Sequence, residues 1–396
     1  MGTLGVSFLV QLAVYATRPT VSYRALQLGA DGHTLGVVVA AYAVLSLVLA
    51  IPVGTWIDRW GHRPFLFVGV ASVFLVTLAL PRVDSLVVLA TSLALVGLGH
   101  LLVTVSAQTL IAAKAGRQGS LSAFSLFTVV VSLGQLAGPL LLGVLGGSGS
   151  VDQRAPAAAD VQVTPVFLAA SGAAGVALAV VFWLPKERAA RRDPDARQER
   201  PTGIVRGGLR VLRSPNMTRA MFISLSVLAS VDVLIAYLPA YGESSGLSVR
   251  TVGLLLATLS GAGLASRLLM WPAARRMGIG SVLVVSTTVA CASVALFPAL
   301  VSTPWALFLV IGGAGLGLGL GQPLTLTWVA RTAPTEIRGT ALGVRLAGNR
   351  LGQVAVPAAV GALTGAAGLV AVFWAVTAML GTSALVAVRG RAFFDD

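Results

Sequence analysis

Twelve stretches of the chain are predominantly apolar for about 20 residues or more, and nothing else in the sequence restricts its fold so tightly. They run over about 4–27, 34–55, 64–81, 85–113, 120–146, 163–185, 217–241, 249–272, 280–300, 305–330, 339–363 and 368–388. A helix needs about 20 such residues to cross a bilayer's hydrocarbon core, and there it satisfies its own backbone polar groups. The chain therefore reads as an all-α polytopic membrane protein with 12 transmembrane helices. Its composition agrees: 56% of residues are hydrophobic and 11% charged, where a soluble domain has about 25% charged. That excludes a soluble globular chain and a disordered one.

The basic excess, 28 Lys+Arg against 14 Asp+Glu, invites a nucleic-acid reading. Its placement argues for membrane topology instead. With the N-terminus inside, twenty basic residues fall in connections on that side, and three, Arg82, Arg154 and Arg250, on the other. Basic loops mark the cytoplasmic side. The expectation is a multi-pass protein of the cytoplasmic (inner) membrane, both termini cytoplasmic, with the lipid bilayer and no nucleic acid as partner. Residues 186–216 hold nine of the inside set in a polar, proline-containing stretch. They are expected to link an N-terminal six-helix bundle, 1–185, to a C-terminal one with a short tail, 217–396. A basic helix on anionic lipid and a solvated linker are equal readings of this stretch.

Cys291 is the single cysteine, and the three histidines, His33, His62 and His100, are scattered. No disulfide, metal or cofactor is expected. No P-loop pattern is present, so an ATP-driven pump is not expected, nor is an enzyme. The first apolar run lacks a preceding basic region and a cleavage site, and reads as a spanning helix rather than a signal peptide.

The two halves repeat. A shift of 217 residues aligns Gly29 with Gly246, Thr34 with Thr251, Gly36 with Gly253, Arg59 with Arg276 and Gly61 with Gly278. A shift of 218 aligns 133–135 with 351–353, Pro139 with Pro357 and Gly143 with Gly361. Six helices per half keep both repeats in the same orientation, which predicts a site between them near the midplane.

Between the second and third runs stand Gly54, Asp58, Arg59, Gly61 and Arg63, spaced as G-x-x-x-D-R-x-G-x-R. This resembles the signature loop of the major facilitator superfamily. The resemblance implies two parallel six-helix repeats, alternating access, and a latch in this loop that holds the cytoplasmic side shut. The second-half counterpart has Arg275 where the first has Asp58, so the latch is expected to be asymmetric. In the fifth run, Gly134, Gly138 and Pro139 are similar to the family's drug-antiporter signature, with Gly143 one residue late. Leu93 stands where the family usually has an arginine. The glycine ladder 312–323 fits no nucleotide-loop register and reads as close helix packing.

Of fourteen acids, Asp232 alone lies within a run. Lipid penalises its charged form, and a nearby cation favours that form. Asp232 therefore reads as a proton-coupling group or as a member of a structural ion pair. Gln11, Tyr15, Arg18 and Ser22 share one face of the first helix, and Pro19 is expected to kink it. The repeat places Asp232 opposite Tyr15, one turn from Arg18, so Arg18 and Asp232 are expected to meet across the pseudo-two-fold axis unless Arg18 snorkels. His100, Thr104 and Gln108 lie on one face of the fourth helix, and His100 is equivalent in position to Gln322. His100 is a second candidate proton carrier. Arg345, Asn349 and Gln353 form a stripe in the eleventh helix with Arg350 beside it; Trp328, Tyr237 and Tyr241 join Tyr15 as aromatic cavity candidates.

With the family resemblance, the expectation is a secondary transporter that acts as a monomer on a small molecule, with protons as coupling ion. The expectation is export of amphiphilic compounds by drug/proton antiport. Its rivals are uptake of a small organic anion clamped by Arg18 and Arg350, and a lipid-handling or receptor role.

Overall fold

A computed structural model describes residues 2–147, 161–183, 216–332 and 338–390, without the side chains of 51, 58, 112–122, 330–332, 338 and 339. The described residues form helices: α1 (Gly2–Gln27), α2 (Gly32–Trp60) and α3 (His62–Ala79), then one unbroken helical stretch, Leu86–Leu145. Its apolar segments, Leu86–Ile111 and Ala123–Leu145, are α4 and α5. There follow α6 (Val163–Trp183), α7 (Met217–Ser244), α8 (Val249–Met277), α9 (Ile279–Leu296), α10 (Pro304–Thr332), α11 (Arg338–Ala367) and α12 (Val370–Gly390). The expected break between the fourth and fifth runs is thus helical. Residues 112–118 hold no proline, and apart from Gly116 all are good helix formers. The linker 186–215 and the Asp58 side chain lie outside the described residues.

Ten of these segments are long and apolar enough to cross a membrane; α1 and α11 are the two that fall short. Both spend their polarity inward. Gln11, Arg18 and Ser22 of α1 and Arg345, Asn349 and Gln353 of α11 are all buried. Hydroxyls elsewhere are satisfied within their own helices, as in Thr17 to Ala13 O (2.7 Å) and Ser230 to Ser226 O (2.7 Å). α1 runs unbroken through Pro19.

α1–α6 pack among themselves, as do α7–α12, and the halves meet through α2 on α11, α5 on α8 and α1 on α7. Arg63 donates to Phe182 O (3.2 Å), joining the start of α3 to the end of α6. Arg219 donates to Arg389 O (3.5 Å), joining the start of α7 to the end of α12. This end is the terminal face. At the opposite face Arg24 donates twice to Val83 O, at 3.0 and 2.7 Å.

The repeat is visible in the turns. Asp31 caps α2 by accepting from Thr34 N (2.8 Å), and Ser248 caps α8 by accepting from Thr251 N (3.2 Å). α2 and α8 end at Gly61 (φ 85, ψ 162) and Gly278 (φ 80, ψ 154). That backbone region belongs almost wholly to glycine. A Cβ on Gly61 meets nothing within 4 Å, so Gly61→Ala is expected to cost backbone strain alone, about 1–3 kcal/mol. Thermal unfolding in detergent should show a lowered midpoint for Gly61→Ala and a similar one for Gly278→Ala. Unchanged midpoints would show that the turns relax.

The glycine ladder is packing surface. A Cβ on Gly317 would meet α9 at Ala290, one on Gly319 would meet α8 at Gly263, and one on Gly321 would meet α7 at Val227. α10 thereby approaches three neighbours closely.

Candidate functional site

At mid-depth, α1 and α7 bring Arg18 and Asp232 together. Arg18 Nη2 lies 2.6 Å from Asp232 Oδ1, and both side chains are about 95% buried, 5% and 4% exposed. Arg18 therefore does not snorkel. The other carboxylate oxygen accepts from Gln353 Nε2 of α11 at 2.5 Å, and Gln353 Oε1 accepts from Arg350 Nη1 at 2.9 Å. On the far side of Arg18, its guanidinium stacks 4.5 Å from the Tyr42 ring centroid and 5.8 Å from that of Tyr15. Tyr42 and His100 Nδ1 are joined by a 2.5 Å hydrogen bond, and His100 Nε2 is buried without a partner among the described residues. One chain of contacts thus crosses the interface from His100 to Arg350.

A second cluster lies nearer the terminal face. Arg345 Nη2 donates to Gln322 O (2.9 Å), Gln322 Oε1 (2.9 Å) and Thr325 Oγ1 (3.0 Å). Asn349 Nδ2 donates to Gln322 Oε1 (3.2 Å), and Asn349 Oδ1 accepts from Ser224 Oγ (2.9 Å). Arg345 is buried and turns inward here.

A cavity of 610 Å³ lies between the halves. Gln11, Thr104 and Gln108 line it from the first half, Gln322 and Arg345 from the second. Gln11 is seven residues from Arg18 on α1, a rise of about 10 Å toward the terminal face. The ion pair therefore sits above this cavity, on the side of the opposite face.

Two equivalent contacts close that opposite face. A Cβ on Gly36 would lie 2.6 Å from Pro357 O and 3.1 Å from Gly361 Cα, where α2 meets α11. One on Gly253 would lie 2.9 Å from Pro139 O and 2.6 Å from Gly143 Cα, where α8 meets α5. Gly36 is the repeat partner of Gly253, Pro139 of Pro357 and Gly143 of Gly361, so the two seals are one contact made twice. Tyr237 locks the first by donating to Gly32 O (3.0 Å) and Pro357 O (3.2 Å). Toward the terminal face an added Cβ on Gly54 of α2, or on Gly343 or Gly348 of α11, would meet nothing within 4 Å. Gly134 and Gly138 of the fifth-run motif seat α5 against Gln11 and Ala16 of α1. Arg59 is exposed at the terminal face.

Some candidates lie elsewhere. Tyr241 packs on Phe373 (4.6 Å between ring centroids) and Phe297 (5.9 Å), in the second half's own core. Trp328 is buried in the core and is absent from the cavity lining. Tyr237 serves the seal. The sequence reading passed over Tyr42, Ser224 and Arg267. Arg267 had a usable signal, a charge within an apolar run. Tyr42 had a weaker one, a lone phenol among Ala and Val.

The sequence profile of the Major Facilitator Superfamily matches residues 3–344, and again 221–392. Among curated proteins, "Multidrug resistance protein Stp" of Mycobacterium tuberculosis (strain CDC 1551 / Oshkosh) is 32% identical over 139 residues. That match covers 35% of this chain and 25% of that protein, so the chain spans a quarter of the relative's length. Among solved structures, a POT family transporter in complex with thioalcohol conjugated peptide superposes with TM-score 0.77 at 15% identity, covering 100% of this chain and 96% of that one. A D-xylose-proton symporter gives 0.76 at 16%, covering 100% and 97%, and the nucleoside transporter NupG gives 0.74 at 14%, covering 100% and 98%. At such identities the likeness is one of fold. The profile spans nearly the whole chain, and the chain belongs to the major facilitator superfamily, as a multi-pass membrane transporter.

Proposed function

We propose that the protein is a proton-coupled exporter of small amphiphilic compounds, working by alternating access of its two halves. The observation that carries this reading is the buried Arg18–Asp232 pair, which spans the halves at the level where they must part. A proton on Asp232 cancels the charge attraction to Arg18, so protonation and the join between the halves are coupled through one carboxylate. The basic residues of the terminal face support its assignment to the cytoplasm, with both chain termini on that side. The described state then faces inward with its outer seals closed. In the cycle, Asp232 takes a proton when the cavity faces out and yields it inward as substrate is loaded. The partial match to a multidrug resistance protein supports the export direction.

The test is a susceptibility panel in a bacterial host stripped of its own pumps. Cells expressing the protein should tolerate some toxic amphiphiles better than empty-vector cells and accumulate less of them. A protonophore should erase both differences. Sensitisation in place of protection would overturn export and point to uptake.

A further inference from the structure

Among the described residues, the charge lining the cavity has one sign: Arg267 and Arg345 contribute to the wall, and no Asp or Glu does. Each guanidinium is held by neutral acceptors. Arg267 Nη1 donates to Ser132 Oγ (2.5 Å) and its Nε to Gly319 O (3.3 Å). Arg345 bonds Gln322 and Thr325 as above, and its Nε is buried without an acceptor. Among the described residues neither has a carboxylate partner, and the buried carboxylate above the cavity, Asp232, is paired with Arg18. Neutral hydrogen bonds orient a guanidinium but leave its full charge, and an unpaired cation within a membrane protein is costly. Two in one cavity also repel each other. The remaining wall is partly apolar, with Phe127, Leu264, Met270 and Leu326. Its volume of 610 Å³ falls within the range of about 300–1,000 Å³ usual for small-molecule sites.

We infer that this cavity binds an amphiphile bearing one anionic group, a carboxylate, sulfonate or phosphate, which supplies the counter-charge to Arg267 and Arg345 while its apolar body lies on the Phe127–Leu326 wall. This names the substrate class of the transporter reading and rests on it. It replaces Arg18 and Arg350 as the anion clamp, since Arg18 is already neutralised by Asp232 and Arg350 is not among the residues lining this cavity. It also gives substrate a mechanical handle. Arg267 of α8 bonds Ser132 of α5 across the halves, and an anion competes with Ser132 for that guanidinium.

The test uses the full chain in nanodiscs of uncharged lipid, with empty nanodiscs as blank, titrated calorimetrically with octanoate, octanamide and octylammonium. Octanoate should bind at least about tenfold tighter than either of the others. Arg267→Gln and Arg345→Gln should each weaken octanoate by about tenfold and leave octanamide unchanged. Arg267→Lys and Arg345→Lys should recover part of the loss, which a role in folding alone would not produce. Equal binding of the three probes, no binding of octanoate at millimolar concentration, or glutamine variants that bind octanoate like wild type would each overturn the inference. If octanoate is preferred but expressing cells gain no protonophore-sensitive protection, the exporter reading falls and the site stands. The reverse pair of results overturns the site and leaves the exporter.

Discussion

Asp232→Asn is expected to abolish gradient-driven transport while leaving substrate exchange in place. The two side chains are nearly isosteric, so the amide can keep a hydrogen bond with Gln353, now 2.5 Å from Asp232 Oδ2. What it cannot keep is a titratable charge. Arg18, 5% exposed, is left as an uncompensated buried cation, a change that costs about 3–5 kcal/mol when one partner of a buried pair is removed. Two measurements separate the consequences. In proteoliposomes with an imposed pH gradient, a compound to which the wild type confers protection should no longer be concentrated by the variant. With no gradient, labelled compound should still exchange with unlabelled. The variant's thermal midpoint should also fall, and adding Arg18→Met should restore much of it, because replacing both partners by neutral groups is close to neutral. Restored stability without restored coupling is the expected outcome for the double variant. If Asp232→Asn concentrates substrate as wild type does, the pair is structural and protons couple elsewhere, with His100 next in line through its bond to Tyr42.

The pair was legible because the chain repeats itself. A shift of 217 residues puts Asp232 opposite Tyr15, one turn from Arg18, and helices at equivalent places in two parallel repeats face each other across the axis. Gln353 as the third member was legible only as one residue of a stripe. The stripe says which side of α11 is polar and nothing about which polar group reaches farthest. Aromatics misled the reading for a related reason. Tyr237 lies five residues beyond Asp232, about 140° around α7, so it leaves the central face and meets Gly32 and Pro357 at the seal. Trp328 lies six residues beyond Gln322, about 120° away, and enters the core. Hydropathy cannot make these distinctions, since both faces of such a helix are apolar and only packing tells them apart. The spans themselves were legible because lipid leaves the backbone so few choices. The exception, the helical connection 114–119, lies between the fourth and fifth runs, where that constraint lapses.

The largest purely steric effect is expected from Gly253→Val. In the described state the new side chain would begin 2.6 Å from Gly143 Cα and 2.9 Å from Pro139 O. Those are backbone atoms of α5 and cannot swing aside as a flexible side chain would. Overpacking of this kind costs about 1–3 kcal/mol. That cost falls on the form closed at the opposite face and is absent once α5 and α8 separate there, so the equilibrium should move toward opening by about 5- to 150-fold. Gly36→Val should act in the same direction, because its added carbon would meet Pro357 O at 2.6 Å and Gly361 Cα at 3.1 Å, the repeat image of the same contact. Spin labels at His33 and Ala366, both exposed beside the α2–α11 seal, report the gap in a Cys291→Ser background. The labelled distance should lengthen by several ångströms in both valine variants, with transport falling at least about tenfold. Gly172→Val, where nothing lies within 4 Å of the added carbon, should change neither. Gly134, Gly138 and Pro139 are similar to a drug-antiporter signature; Pro139 and Gly143 also recur as Pro357 and Gly361 in α11, as the sequence repeat implies, and each pair holds one of two matched seals. If Gly253→Val shifted the distance and Gly36→Val did not, the seals would be unequal despite their shared geometry, and the opposite face would open first at α5–α8.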